Sequence, residues 1–323
     1  VTAPKRIWIV LAFSAIYLIW GSTYLGILLA IRSIPPFLMA GTRYFLAGVI
    51  MYTIARAQGA PKPESGTWRS ALIVGGCLLL GGNGGVTFSE QWVPTGLAAL
   101  LVATVPIYIT LLSWITGGAA ARPTPIVWLG LIGGFAGVAV LVGPVFASSL
   151  AHSSHNHLAL GMSILLIGSL IWSIGSLYSR TAKNSPSPFL AAGQQMLCGG
   201  ALLFLCGMTL GEYRGFDFHR VTWLSSGAFI YLVAIGALVG FPAYIFLLRH
   251  CDPAKVATYA YVNPVVAVFL GALFVHETLS LRTLVGAGLI IGSVALVITA
   301  QQLRPKPEAP LAAEIEPIAQ DEL

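Results

Sequence analysis

Long apolar stretches rather than alternating positions organise this chain. Ile7 to Ile31, Ser70 to Ser89, Asn184 to Gly211, Val221 to Leu248 and Thr283 to Leu303 contain no Asp, Glu, Lys or Arg, and each can cross a hydrocarbon core that needs about 20 apolar residues. The uncharged run Gln91 to Ala121 holds one further span, opened by Pro94, and Pro123 to Ser179 holds two, divided by the polar segment SSLAHSSHNH. With Pro35 to Ala55 and Pro253 to Val275, the pattern predicts ten spans, at 7–29, 35–56, 69–89, 94–117, 125–146, 157–179, 187–210, 221–248, 253–275 and 282–303. Helices are expected throughout, because a backbone amide inside lipid must find its partner within its own segment. The predicted fold class is an all-α membrane protein.

Composition agrees: 57% of the 323 residues are apolar and 9% charged, against roughly 25% charged in a soluble domain. Of the 28 charges, 7 lie after Leu303, so the body is poorer still. That Pro-, Ala- and Glu-rich tail, 304–323, is expected to be disordered and cytoplasmic. The net charge of +6 comes from Lys and Arg scattered through short turns, which argues against nucleic acid and reads as a topology signal. A cytoplasmic N-terminus places 12 Lys and Arg inside and 4 outside, leaving Arg43 within a span. Both termini then face the cytoplasm of a cell with a multi-pass protein in its cytoplasmic (inner) membrane. The first span, behind Lys5 and Arg6, is too long for a signal peptide and lacks a small-residue cleavage site. The four cysteines show no CxxC spacing, so no disulfide framework or metal knuckle is expected.

The chain also repeats itself. LIW at Leu18–Trp20 recurs at Leu170–Trp172, and PFLMAG at Pro36–Gly41 recurs as PFLAAG at Pro188–Gly193, both at an offset of 152 residues. Pro94 answers Pro253, and Pro106 answers Pro264. Short Gly- and Pro-containing apolar strings also match by chance, but a shared offset favours duplication. The predicted halves are 1–149 and 150–303, with five spans each. An odd number of spans makes the second copy enter the membrane in the opposite sense, the inverted-repeat plan of many secondary transporters.

LIWGSTY in span one, PPFLMAGTRYFLAG in span two, GNGGVTFSEQWVPTGLAALLVATVP across spans three and four and YAYVNPVVAVFLGALFVHETLS in span nine resemble the EamA-type permeases of the drug/metabolite transporter superfamily. That resemblance covers about residues 7–300 and implies ten helices in two repeats. It also implies transport of amino acids, other metabolites or drugs by alternating access, with protons as a coupling ion and no cofactor. It fixes neither substrate nor direction. HETLS at Glu277 has no counterpart in the first half, so the halves are not interchangeable.

In inverted-repeat carriers, paired interrupted helices mark the binding site. Pro106 and Pro264 are the expected kinks or gates, each freeing a carbonyl one turn earlier. Thr104, Tyr108, Tyr259, Tyr261 and Asn263 are the polar neighbours on those helices and the expected cavity wall. Trp20 and Tyr24 form an aromatic stripe with Tyr17, and Trp172 is the repeat-related partner of Trp20. Packing is the simpler role for such a stripe, but Trp20 lies near mid-span. Arg43 is a functional candidate because an intramembrane charge must face a partner, water or the bundle interior, and Glu90 is its expected partner. Asn83, inside GGNGG, and Gln194 complete the expected substrate-binding set. The flanking glycines are expected to serve packing. Asp252 and Glu277 are expected to cap neighbouring helices.

Other classes fare worse. No GxxxxGK[ST] loop supports an ATP-driven pump. HETLS has Ser280 where HExxH needs its second His, so an intramembrane metalloenzyme is not expected. His152, His155 and His157 read as a solvated connector before a metal site. A channel or a sensor would share this sequence, and counterflow separates a carrier from both. No carboxylate falls near the middle of a span to carry a coupling proton.

Overall fold

The computed structural model describes residues 5–117, 122–152, 155–266 and 281–302, which form helices and short connections without a strand. In chain order these are α1 (Arg6–Ala30), α2 (Pro36–Ala57), α3 (Ser65–Ser89), α4 (Thr95–Gly117), α5 (Pro125–His152), α6 (His155–Thr181), α7 (Pro188–Thr209) and α8 (Trp223–His250). They are followed by α9, which begins as Pro253–Ala257 and is helical again over 259–266, and by α10 (Leu281–Gln302). A helix stands at each expected span, the ninth being described only to residue 266. Among the described residues seven helices, α1–α4 and α6–α8, are long and apolar enough to cross a membrane, and α5 and α10 contain shorter apolar stretches, Pro125–Val140 and Leu284–Ala300. Glu277, the tail 304–323 and Gly118–Ala121 lie outside the described residues, as do the carboxyl-terminal parts of the ninth span.

Local sequence explains several helix starts. Pro36, Pro188 and Pro253 occupy first-turn positions, where the missing N–H costs nothing. Ser187 and Thr222 accept backbone N–H groups at the starts of α7 and α8, and Asp252 does so for α9. The start of α2 is capped from a distance: the Glu212 carboxylate, in the α7–α8 connection, accepts from Phe37 N at 3.1 Å and Leu38 N at 2.9 Å. Large apolar side chains such as Trp8, Leu11, Leu18 and Leu25 on α1 and Leu129 and Ile132 on α5 point outward and are half or more exposed. Such a surface is a liability in water and suits lipid.

The tightest seam joins α2 and α7. A methyl group added at Gly41 would meet Phe204 N at 2.5 Å, and one at Gly48 would meet Leu197 N at 2.6 Å. From the other side, Gly200 meets Phe45 N at 2.4 Å and Gly193 meets Tyr52 N at 2.9 Å. Rising residue numbers on α2 meet falling numbers on α7, so the two helices run antiparallel. Shifting every residue by the 152-residue offset exchanges these pairs: Gly41 with Phe204 becomes Gly193 with Tyr52, and Gly48 with Leu197 becomes Gly200 with Phe45. Small residues permit this backbone contact where the hydrophobic effect supplies no driving force.

Four helices depart from regular geometry. Within α3, Gly76–Gly84 is π-helical, and within α8, Leu232–Gly240 is π-helical over the same length of nine residues. Helix α4 breaks between Thr95–Val102 and Val105–Gly117, one turn before Pro106, where a ring without N–H is expected to interrupt the ladder. The break in α9 lies at Thr258, well before Pro264. Thr258 Oγ1 there bonds Lys255 O at 2.7 Å and pairs with the Tyr17 hydroxyl at 2.7 Å.

The seam generates a stability test. Gly200→Ala places a methyl against backbone and is expected to destabilise the protein by about 1–3 kcal/mol, the usual cost of overpacking. Gly227→Ala, where an added methyl meets nothing within 4 Å, should leave the thermal midpoint in detergent unchanged or slightly higher. Equal midpoints for the two variants would refute the backbone contact.

Candidate functional site

A cavity of about 70 Å³ lies among α1, α2, α3, α4, α6, α8 and α9. It collects Trp20, Tyr24, Arg43, Asn83, Trp172, Tyr259 and Asn263, seven of the residues singled out from sequence. Both π-helical segments reach it, through Gly82 and Asn83 from α3 and Gly236 from α8, and the α4 break flanks it through Val102 and Val105. π-Helical turns occur frequently at functional sites, because the wider turn re-aims the side chains around it.

One wall is aromatic. The Trp20 and Trp172 rings, separated by the repeat offset in sequence, meet edge to face with centroids 5.6 Å apart. Tyr259 stands against Trp20 at 4.8 Å, and Tyr244 packs against Trp20, Trp172 and Tyr259 at 5.0, 5.3 and 5.7 Å. The Trp172 indole N–H donates to the Tyr244 hydroxyl at 2.9 Å, and that hydroxyl pairs with Ser176 Oγ at 2.7 Å. Glycine makes room for both indoles: a methyl at Gly82 would meet Trp172 Cε3 at 2.5 Å, and one at Gly240 would meet Trp20 Nε1 at 2.6 Å.

Another part of the lining is polar. Arg43 is 2% exposed; its Nη2 donates to Asn83 Oδ1 at 2.6 Å, and its guanidinium lies 4.3 Å from the centre of the Tyr44 ring. Its Nε–H has no partner among the described residues, and neither has Asn263 Oδ1; the Asn263 side chain stands beside Tyr24. Two residues of the lining, Arg43 and Asn263, therefore each keep a buried polar atom unpaired, a charged donor and a neutral acceptor. The expected Arg43–Glu90 ion pair is not formed: no contact within 4.0 Å joins them, and Asn83 takes the guanidinium instead. Glu90 is nevertheless 4% exposed, so a buried carboxylate does exist, at the end of α3 rather than mid-span.

The remaining expected site residues do other work. Tyr261 donates its hydroxyl to Leu131 O at 3.0 Å and packs on Gly134, joining α9 to α5. Gln194 accepts from Ser185 Oγ at 2.6 Å and donates to Thr67 Oγ1 at 3.0 Å, a buried bridge near the start of α7. Thr104 bonds Leu101 O at the α4 break, and neither it nor Tyr108 lines the cavity. The glycines of GGNGG pack as expected, Gly81 against Ile171 and Gly84 against Leu203. The His157 ring lies 5.6 Å from Trp92, the side chains of His152 and His155 are outside the described residues, and no metal-binding group occurs among the residues described. Sequence reading missed Tyr244, Tyr44 and Thr23: uncharged polar residues inside apolar runs carry no signal of which way they face.

A second recess, of about 840 Å³, lies where α4, α6 and α8 end and α9 begins, beside Arg180 and Arg249. The model of the EamA-like transporter family matches the chain at residues 6–143 and again at 159–299. An Escherichia coli K12 protein named as the uncharacterized inner membrane transporter YedA is 36% identical over 299 residues, covering 91% of this chain and 92% of that one. The uncharacterized transporter YvbV of Bacillus subtilis is 26% identical over 92% of this chain and 93% of its own. A crystal structure at 21% identity superimposes with a TM-score of 0.73 over 92% of this chain and all of that one, a likeness of fold.

The aromatic wall depends on one hydroxyl. Tyr244→Phe leaves the Trp172 indole N–H buried without an acceptor and should cost about 1–3 kcal/mol, read as a lower thermal midpoint together with altered tryptophan emission. A variant melting and emitting like the parent would show that the hydroxyl is not what holds Trp172.

Proposed function

The chain belongs to the EamA-like transporter family, and from that premise we propose that it is a secondary transporter that carries a small organic solute across the cytoplasmic membrane by alternating access. It has ten spans in two inverted five-helix repeats, 1–149 and 150–303, with both termini cytoplasmic. The double match of the family, the exchange of α2 and α7 contacts under the 152-residue offset and the paired π-helical segments support that plan.

The observation that carries the reading is the cavity itself, whose aromatic wall takes one tryptophan from each half and whose polar wall presents Arg43. Trp20, Tyr24, Trp172 and Tyr259 bind the apolar part of the solute, and Arg43, Asn83 and Asn263 its polar groups. A carboxylate or other anion on Arg43 with a hydrogen-bond donor on Asn263 describes amino acids and related metabolites. About 70 Å³ is far below the roughly 300–1,000 Å³ of pockets that hold drug-sized ligands, so the walls must part to admit a solute. The breaks in α4 and α9 and the turns at Pro106 and Pro264 are where they move, and the recess beside Arg180 and Arg249 is the inner vestibule. Protons are the coupling ion.

Purified protein in liposomes is expected to show saturable uptake and counterflow of a small amino acid or related metabolite from a screened panel. Flux without counterflow would replace the carrier by a channel. Arg43→Gln, which installs the residue present at the corresponding Gln195, should lower flux about tenfold or more at equal membrane abundance, given what a hydrogen bond to a charged group contributes. Undiminished flux in that variant would remove Arg43 from the site.

A further inference from the structure

Five of the chain's carboxylate residues lie among the described positions, and four of them have donors. Glu212 takes two backbone N–H groups at the start of α2, Asp252 takes Ala254 N at 2.9 Å, Asp217 takes His219 N at 3.0 Å and Glu64 takes the Lys183 ammonium at 2.5 Å. Glu90, the residue immediately after α3, is the exception. Both of its carboxylate oxygens are buried and neither has a hydrogen-bond partner among the described residues.

An ionised carboxylate in that setting forfeits its hydration and receives no hydrogen bond in return, whereas the protonated form buries a neutral group at far lower cost. The groups that act on Glu90 electrostatically are Arg43 from α2 and Tyr24 from α1, both in the cavity wall. From α6 the nearby chain offers His157, against Trp92, and the carbonyl of Gly161, which already accepts from Ser89 Oγ. Arg43 meanwhile has one N–H to spare, its unpartnered Nε. Asn83 and Glu90 are seven residues apart, and Gly85–Ser89 between them is α-helical.

We propose that Glu90 is a proton-binding site. In this conformation its carboxyl group holds a proton and Arg43 rests on Asn83. When the proton leaves to water, the new carboxylate draws the guanidinium off Asn83 and pairs with it, and the polar wall of the cavity changes. Proton and solute then compete for one arginine. The protonation stands on burial and missing donors; its effect on solute rests on the transporter reading.

The two are tested separately. Infrared difference spectra of the purified full-length protein in nanodiscs, recorded across a pH step in H2O and D2O, should contain a protonated-carboxyl band that shifts with deuterium and is missing in Glu90→Gln. The same band in that variant, or no such band in the parent, would overturn the site. Arg43→Gln provides a second measurement that does not remove Glu90: losing the opposite charge should move the titration midpoint of that band upward by about 1–3 pH units. An unmoved midpoint would overturn the pairing with Arg43. Solute flux in liposomes should vary with pH in the parent and lose that dependence in Glu90→Gln. Retained pH dependence would overturn the competition, while both infrared results without any flux would overturn the transporter reading and leave the proton site standing.

Discussion

Direct backbone contact between α2 and α7 is the constraint on which the rest of the molecule depends. In lipid, apolar side chains gain nothing by meeting each other rather than hydrocarbon, so helices associate where their surfaces can approach closely. Gly41 and Gly48 on one helix and Gly193 and Gly200 on the other provide that approach. Because the contacts exchange under the 152-residue offset, a single geometry serves both sides of the seam. Trp20 and Trp172, related by the same shift, meet each other. Both tryptophans line the cavity.

The cavity is built from departures from regular structure. Two π-helical segments and a broken α4 surround it. An unbroken helix satisfies all its backbone groups internally and presents only side chains, so interrupted helices suit a place where a polar solute must be met within an apolar bundle. Glycine supplies the space that the indoles occupy, at Gly82 and Gly240. Two polar atoms of the lining residues have no partner among the described residues, Arg43 Nε and Asn263 Oδ1. Native proteins rarely leave buried polar atoms unpartnered.

Much of this was legible beforehand. Helix positions followed from uncharged runs and proline punctuation, and the observed ends of α2, α4 and α7 fall within a residue or two of those expected. Seven cavity residues were singled out as aromatic, amide or guanidinium groups marked by a neighbouring proline or glycines, by helical spacing or by charge within an apolar run. Tyr261 and Gln194 met that same criterion and turned out to bridge helices, through Leu131 O and through Ser185 and Thr67. Composition marks a polar residue as needing a partner and leaves open whether the partner is protein or solute.

By itself, the sequence determined which segments are helices, since the bilayer obliges each segment to satisfy its own backbone and so makes a span a local property. Only the tertiary structure decided that Arg43 rests on Asn83 rather than Glu90, that Tyr244 orders the tryptophans and that α9 yields at Thr258 instead of beside Pro264. Those outcomes depend on distances between segments far apart in the chain, and no periodicity within one segment records how its neighbours are turned.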